Sequence, residues 1–257
     1  MIDAKAVVDP RARLDPSVEV GPFTLIGPDV EIGPNCIIGA HVSIKGPTRM
    51  GTGNRIYPFA SIGDDPQDKK FHGEKTWLYI GERNTIREYT TINRGTGLGG
   101  GETRIGNDNW IMAYVHIAHD CIVGNHVIMA NTSALAGHVR IDDHAGIGAF
   151  SKVYQFCHVG RHAFLAYESG VLKDVAPYMM VFGSPAKLVG INKEGLKRAG
   201  FTTEQVGIIR KAHRIIYRNG LCIDEVVQQL RQELHDYPDL IAPIIELIEN
   251  SKNGIAR

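Results

Sequence analysis

Seven of the chain's eleven histidines fall between positions 116 and 162: His116, His119, His126, His138, His144, His158 and His162. One carboxylate, Asp120, follows His119 directly in the string VHIAHD. An exposed carboxylate beside an imidazole fixes its tautomer and raises its basicity, which is what a general base needs. Three readings suit such a set. In acyl transfer, one histidine takes a proton from an acceptor hydroxyl or amine while a backbone N–H, such as that of Gly137, steadies the oxyanion. In metal binding, the imidazoles are zinc ligands. In the third, they are solvated turn residues of a repetitive scaffold with no chemistry. Spacing sorts them into tracks: His126, His144 and His162 lie 18 apart, as do Asp120 and His138, and as do His119, Gly137 and Gln155.

The element that would hold such tracks is a short repeat. An aliphatic residue recurs every sixth position from Val8 through Leu14, Val20, Ile26, Ile32 and Ile38 to Ile62, again at Ile80, Ile86 and Ile92, and after a register shift from Ile105 to Val171. Neither a helix nor an alternating strand has that period. Small or β-branched residues four positions later, such as Val18, Thr24, Val30 and Ala145, point inward with the aliphatic ones. The pattern predicts a parallel β-helix of hexapeptide repeats, with three hexads and 18 residues to a triangular coil, so that residues 18 apart stack about 4.8 Å apart. Spacing does not give the hand, and the crossover rule for parallel strands points to a right-handed coil.

The repeat breaks near 64–77 and near 94–103, and such insertions become surface loops, often on the binding face. The first carries Asp68, Lys69, Lys70, Phe71 and His72; the second, RGTGLGGGET, is expected to be mobile. The reading is therefore a β-helix over residues 1–190 and an α-helical C-terminal domain over 191–257, where Thr203, Asp224 and Pro238 introduce amphipathic segments that cap the open end of the coil. The 28 basic residues balance the 28 acidic ones, so no global field favours nucleic acid, and any polyanion must be gripped locally. No apolar run of about 18 residues predicts a membrane span, and MIDAKAVVDP lacks a signal-peptide plan, so the expectation is a cytoplasmic protein with no membrane insertion. The four cysteines have no CxxC pair and are expected to fill core positions.

The strings AHDC at 118–121, LAGH at 135–138, YQFC at 154–157 and above all INKEGLKRAGF at 191–201 are similar to those of the bacterial UDP-N-acetylglucosamine acyltransferases of lipid A synthesis. The resemblance spans essentially the whole chain. It implies a mainly β fold, a left-handed parallel β-helix of hexapeptide repeats with a C-terminal α-helical cap. It also implies a homotrimer with active sites between subunits, which moves a 3-hydroxyacyl group from acyl carrier protein to the glucosamine 3-position. No cofactor or metal is implied beyond the phosphopantetheine on the carrier. By resemblance, His119 is the general base, Asp120 orients it and Gly137 supplies the oxyanion N–H. His138 meets the acyl donor, His116 and Gln155 the sugar nucleotide, Asp68 and Lys70 the bound substrate, and Asn192, Glu194 and Arg198 the uridine and diphosphate.

The chain also departs from the family. Tyr154 and Asn93 stand where familiar members have histidine, which alters the acceptor pocket and leaves open a 3-amino acceptor in place of the 3-hydroxyl. Tyr167 occupies a position that acts as an acyl-chain ruler and commonly holds glycine. Lys197, Lys211, Arg214 and Arg218 are candidates for docking the acidic carrier, or else a solvated helix face. Two alternatives remain beside the transferase: a metal-dependent hexapeptide enzyme of the carbonic anhydrase type, and a diverged relative that kept the scaffold without the chemistry.

Overall fold

The computed structural model describes residues 1–257. Each hexad forms a strand of about two residues whose aliphatic side chain points inward, so the run Ile105, Ile111, Ile117, Val123 and Met129, winding around the coil from face to face, is almost wholly buried. Three residues after the aliphatic one the chain takes a left-handed turn, with φ of 60° at Asp120, 54° at His126 and 63° at His138. Side chains at these corners cost roughly 1–2 kcal/mol each in backbone strain, and stacking on the next coil offsets part of it.

Three parallel sheets form the prism faces. The first face contains Thr91–Asn93, His116–Ile117, Ala134–Leu135 and Lys152–Val153; the second contains Trp77–Ile80, Glu102–Ile105 and Ile122–Val123; the third contains Trp110–Ile111, Ile128–Met129 and Gly146–Ile147. The pairing His116 with Ala134 with Lys152 confirms the 18-residue coil. The coil is left-handed, against the crossover rule; that rule rests on long twisted strands feeding a helix, and strands of two residues carry little twist to propagate.

The excursions are slightly shorter than the sequence suggests. Asp64, Trp77, Glu102 and Thr103 lie in strands, which leaves 65–76 and 94–101 outside the coil. Ser61 pairs with Thr91, 30 residues on, and Leu78 with Thr103, 25 on, in place of the usual 18. The offsets bring Asn54, Asn84 and Asn109 into one buried ladder. There the Asn54 Oδ1 accepts the Asn84 N–H at 2.9 Å and the Asn84 Oδ1 accepts the Asn109 N–H at 2.9 Å.

Four helices follow the last strand, Lys187–Ile191: α1 (Lys193–Arg198), α2 (Thr203–Arg218), α3 (Ile223–Glu233) and α4 (Pro238–Asn250). Thr202, one residue earlier than the sequence reading, caps α2 in a capping box with Gln205. Leu196, Ile209, Ile216, Leu230 and Ile244 pack with Tyr178 into a second core that covers the coil end. The chain end returns to the coil, where the Ala256 N–H donates to the Asp174 carbonyl at 2.8 Å. Cys36, Cys121 and Cys157 fill the interior, but Cys222 is exposed just ahead of α3, so the core-filler expectation fails there. No helix is long and apolar enough to cross a membrane.

Candidate active site

The turn after Ile117 places His119 and Asp120 at the corner between the first and second faces. His119 Nδ1 lies 2.7 Å from Asp120 Oδ2, which leaves Nε2 free to accept a proton. Asp120 is buried, its side chain 1% exposed, where the sequence reading expected an exposed carboxylate. The cause is Thr96, from the excursion expected to be mobile: its N–H donates to Asp120 Oδ1 at 2.9 Å and its hydroxyl to Oδ2 at 2.7 Å. Thr103 Oγ1 accepts the Asp120 N–H at 2.8 Å. Sequence reasoning missed both threonines; the RGT string held the only signal.

One coil on, Gly137 is packed against the imidazole. A Cβ there would stand 2.5 Å from His119 Cε1 and 2.8 Å from Nε2, so only glycine leaves the imidazole where it is. Gly137 is buried and its N–H donates to no acceptor within the chain. His138 shares the Asp120 corner, stacks on Phe156 at 4.4 Å and meets the His119 ring edge-on at 5.1 Å. Burial holds His138 below the usual imidazole range, with Asp120 and Asp68 pulling the other way. Burial likewise lowers His116, followed by the charge of His119; its Nδ1 bonds Thr91 Oγ1 at 2.7 Å. Gln155 is exposed one coil beyond Gly137. Asp68 caps its own turn by accepting the Lys70 N–H at 3.0 Å, and Lys70 is exposed.

The departures separate in space. Tyr154 is exposed and joins His116, Ala134, Lys152 and Leu172 around a groove of about 520 Å3 on the first face. Asn93 is 4% exposed and does not line it; its Nδ2 donates to the Asp65 carbonyl at 2.8 Å, at the start of the excursion that carries Asp68. Tyr167 lies elsewhere, with Asn192, Arg198, Phe164 and the stacked His126, His144 and His162, around a groove of about 660 Å3 on the third face. Burial and His144 push His162 down to about 4. Asn192 caps α1 by accepting the Gly195 N–H and donates to the His162 carbonyl at 2.9 Å. The Arg198 Nε reaches only the Glu194 carbonyl at 3.4 Å, and the Glu194 side chain does not line the groove. One chain therefore does not bring Arg198 to His119. Lys211, a docking candidate, is paired with Glu233 at 2.8 Å.

Two further features fail as sites. The nitrogens and oxygens of His119, Asp120 and His138 cluster within 4.8 Å. Tetrahedral zinc ligands at about 2.0–2.2 Å from the metal stand about 3.3 Å or more apart. The 2.7 Å between His119 and Asp120 is instead a hydrogen-bond distance, and Thr96 already occupies both carboxylate oxygens. A groove of about 810 Å3 runs along the charged second face, where Arg49 pairs with Glu31 at 3.2 Å and Arg104 is matched by Glu102; it holds no residue of either cluster.

Comparison with known proteins gives the family. The family model described as Udp N-acetylglucosamine O-acyltransferase, domain 2, matches residues 174–256, and that of the bacterial transferase hexapeptide (six repeats) matches 11–46 and 102–137. The acyl-(acyl-carrier-protein)-UDP-N-acetylglucosamine O-acyltransferase of Halorhodospira halophila is 51% identical over 256 residues, covering 100% of this chain and 99% of its own. That of Stutzerimonas stutzeri is 46% identical over 257 residues, covering 100% and 99%. The crystal structure of UDP-N-acetylglucosamine O-acyltransferase from Moraxella catarrhalis superposes with a TM-score of 0.97 at 42% identity, covering 100% of this chain and 99% of that one. The chain belongs to the UDP-N-acetylglucosamine O-acyltransferase family.

Proposed function

We propose that the chain transfers a 3-hydroxyacyl group from acyl carrier protein to the 3-position of UDP-N-acetylglucosamine, the first step of lipid A synthesis, in the cytoplasm and without a metal. The observation that carries the mechanism is the His119–Asp120 pair packed against Gly137 and its unpaired N–H. His119 Nε2 removes the proton from the acceptor 3-hydroxyl, or from the amine of a 3-amino analogue, as that atom attacks the thioester carbonyl. The Gly137 N–H bonds the oxyanion; the tetrahedral adduct then expels the phosphopantetheine thiolate, which takes the proton from His119. Asp120 keeps the imidazole in the tautomer with Nε2 free.

The substrate is held by two half-sites. His116, His138, Gln155, Asp68 and Lys70 serve the donor and sugar on one edge, and Asn192, Glu194 and Arg198 the nucleotide on the other. A guanidinium without a carboxylate partner suits the diphosphate. A homotrimer unites the halves, with the first face of each subunit against the third face of the next. Those faces present Leu25, His116 and Ala134, and Ile37, Trp110 and Ile128, whereas the second presents Arg13, Glu31, Arg49 and Arg104. Between the first and third faces, Phe23, His41, Phe59, Tyr89 and Tyr114 stack at 4.9–5.1 Å into a half-exposed aromatic edge suited to the trimer axis.

The test pairs a ladder of 3-hydroxyacyl carrier-protein donors with UDP-N-acetylglucosamine and its 3-amino analogue, read by mass spectrometry. Product with the native chain and none with a His119→Ala trimer is expected; near-native turnover by that variant overturns the mechanism.

A further inference from the structure

Asp120 makes more hydrogen bonds than orienting one imidazole requires. Its Oδ2 accepts both His119 Nδ1 and the Thr96 hydroxyl, each at 2.7 Å, and lies 3.8 Å from His138 Nε2. Its Oδ1 accepts the Thr96 N–H at 2.9 Å. Two imidazoles thus stand within reach of one oxygen, and the threonine sets the direction in which that oxygen faces. The excursion then folds over the carboxylate. The Thr96 carbonyl accepts the Gly99 N–H at 3.1 Å and the Gly101 N–H at 2.9 Å, and at Gly99 the backbone lies so close that a Cβ would overlap the Asp120 carboxylate. The Gly97 N–H donates to Glu74 Oε1 at 3.2 Å, and Arg94, which pairs with Asp65, lies over the Phe71 ring at 5.3 Å. The loop that holds Asp120 is therefore also fastened to the loop that carries Asp68.

Resting on the general-base reading of His119, we propose that Thr96 is the positioning residue of that base, fixing the plane of Asp120 so that Oδ2 serves His119 rather than His138. A threonine kept only for the fold would not need its hydroxyl to fall on the oxygen that faces the imidazole. The groups that face His119 are Asp120 on its own turn, His138 on the next coil, His116 on the preceding strand and, through His138, Asp68 on the first excursion.

Thr96→Val keeps the backbone N–H and the shape but removes the hydroxyl. Losing one charge-assisted bond to the carboxylate is expected to lower kcat about tenfold, with the KM for the nucleotide sugar unchanged within about twofold. Thr96→Ser, which keeps the hydroxyl, restores the rate. If His119→Ala is inactive while Thr96→Val keeps the native kcat per folded protein, the positioning role is overturned and the general-base reading stands. If His119→Ala itself turns over, the underlying reading fails, whatever Thr96→Val does.

Discussion

Replacing Gly137 by alanine tests the column of His119, Gly137 and Gln155 without removing any functional group. The new Cβ would stand 2.5 Å from His119 Cε1 and 2.8 Å from Nε2, where ordinary carbon contacts begin at about 3.5 Å. The imidazole must retreat by about 1 Å. Its bond to Asp120, now 2.7 Å, tolerates a stretch of only about half an ångström before it ceases to be a hydrogen bond. A displacement of that size at a reacting group costs on the order of 100-fold in rate. Gly137 is not among the residues with positive φ, so alanine fits the backbone, and its N–H remains available to an oxyanion. The stability cost is that of overpacking, about 1–3 kcal/mol. The assay is kcat from single-donor transfer, with a thermal melt on the same sample. We expect a folded trimer with kcat about 100-fold lower. A variant within about threefold of native kcat would show that His119 need not hold the position seen here, and the stacked-column mechanism would fall with it.

Tyr167→Gly opens the groove on the third face beside Phe164, and the preferred acyl chain should lengthen. Each added methylene that finds apolar contact is worth about 0.8 kcal/mol, about fourfold in kcat/KM; an unmoved optimum across the donor ladder would place the ruler elsewhere. His162 stays uncharged in the folded chain down to about 4, because it is buried and stacked on His144, whereas a free imidazole titrates near 6.5. As pH falls through that window the unfolded chain takes up a proton that the folded chain refuses, so stability declines between about 6.5 and 4 and levels off below. His162→Phe keeps the stack on Tyr178 and Phe201 and should flatten this decline in denaturant melts at stepped pH; an unchanged slope would assign the loss to other groups.

What the sequence shows of this fold and site follows its periodicity. The hexads reveal the coil, and the 18-residue spacing alone puts Gly137 beside His119 and His138 beside Asp120, because each coil repeats the last. The Asn54–Asn84–Asn109 ladder and the stack from Phe23 to Tyr114 are the same kind of column, hidden because the excursions lengthen two coils to 30 and 25 residues. Thr96 was illegible for a different reason. It reaches Asp120 across 24 residues from a loop with no period, so no register rule predicts the contact. Nor does a single chain bring Arg198 to His119, since Arg198 stands on the cap helix beside the corner of His126, His144 and His162, and His119 stands at another corner of the prism. The periodic part of the molecule thus supplies fixed distances, and its two interruptions supply what a repeat cannot: a cover for the one carboxylate bonded to His119, and a loop that carries Asp68 toward His138. A repeat built of identical coils presents the same corner many times, and the excursions single out one of them.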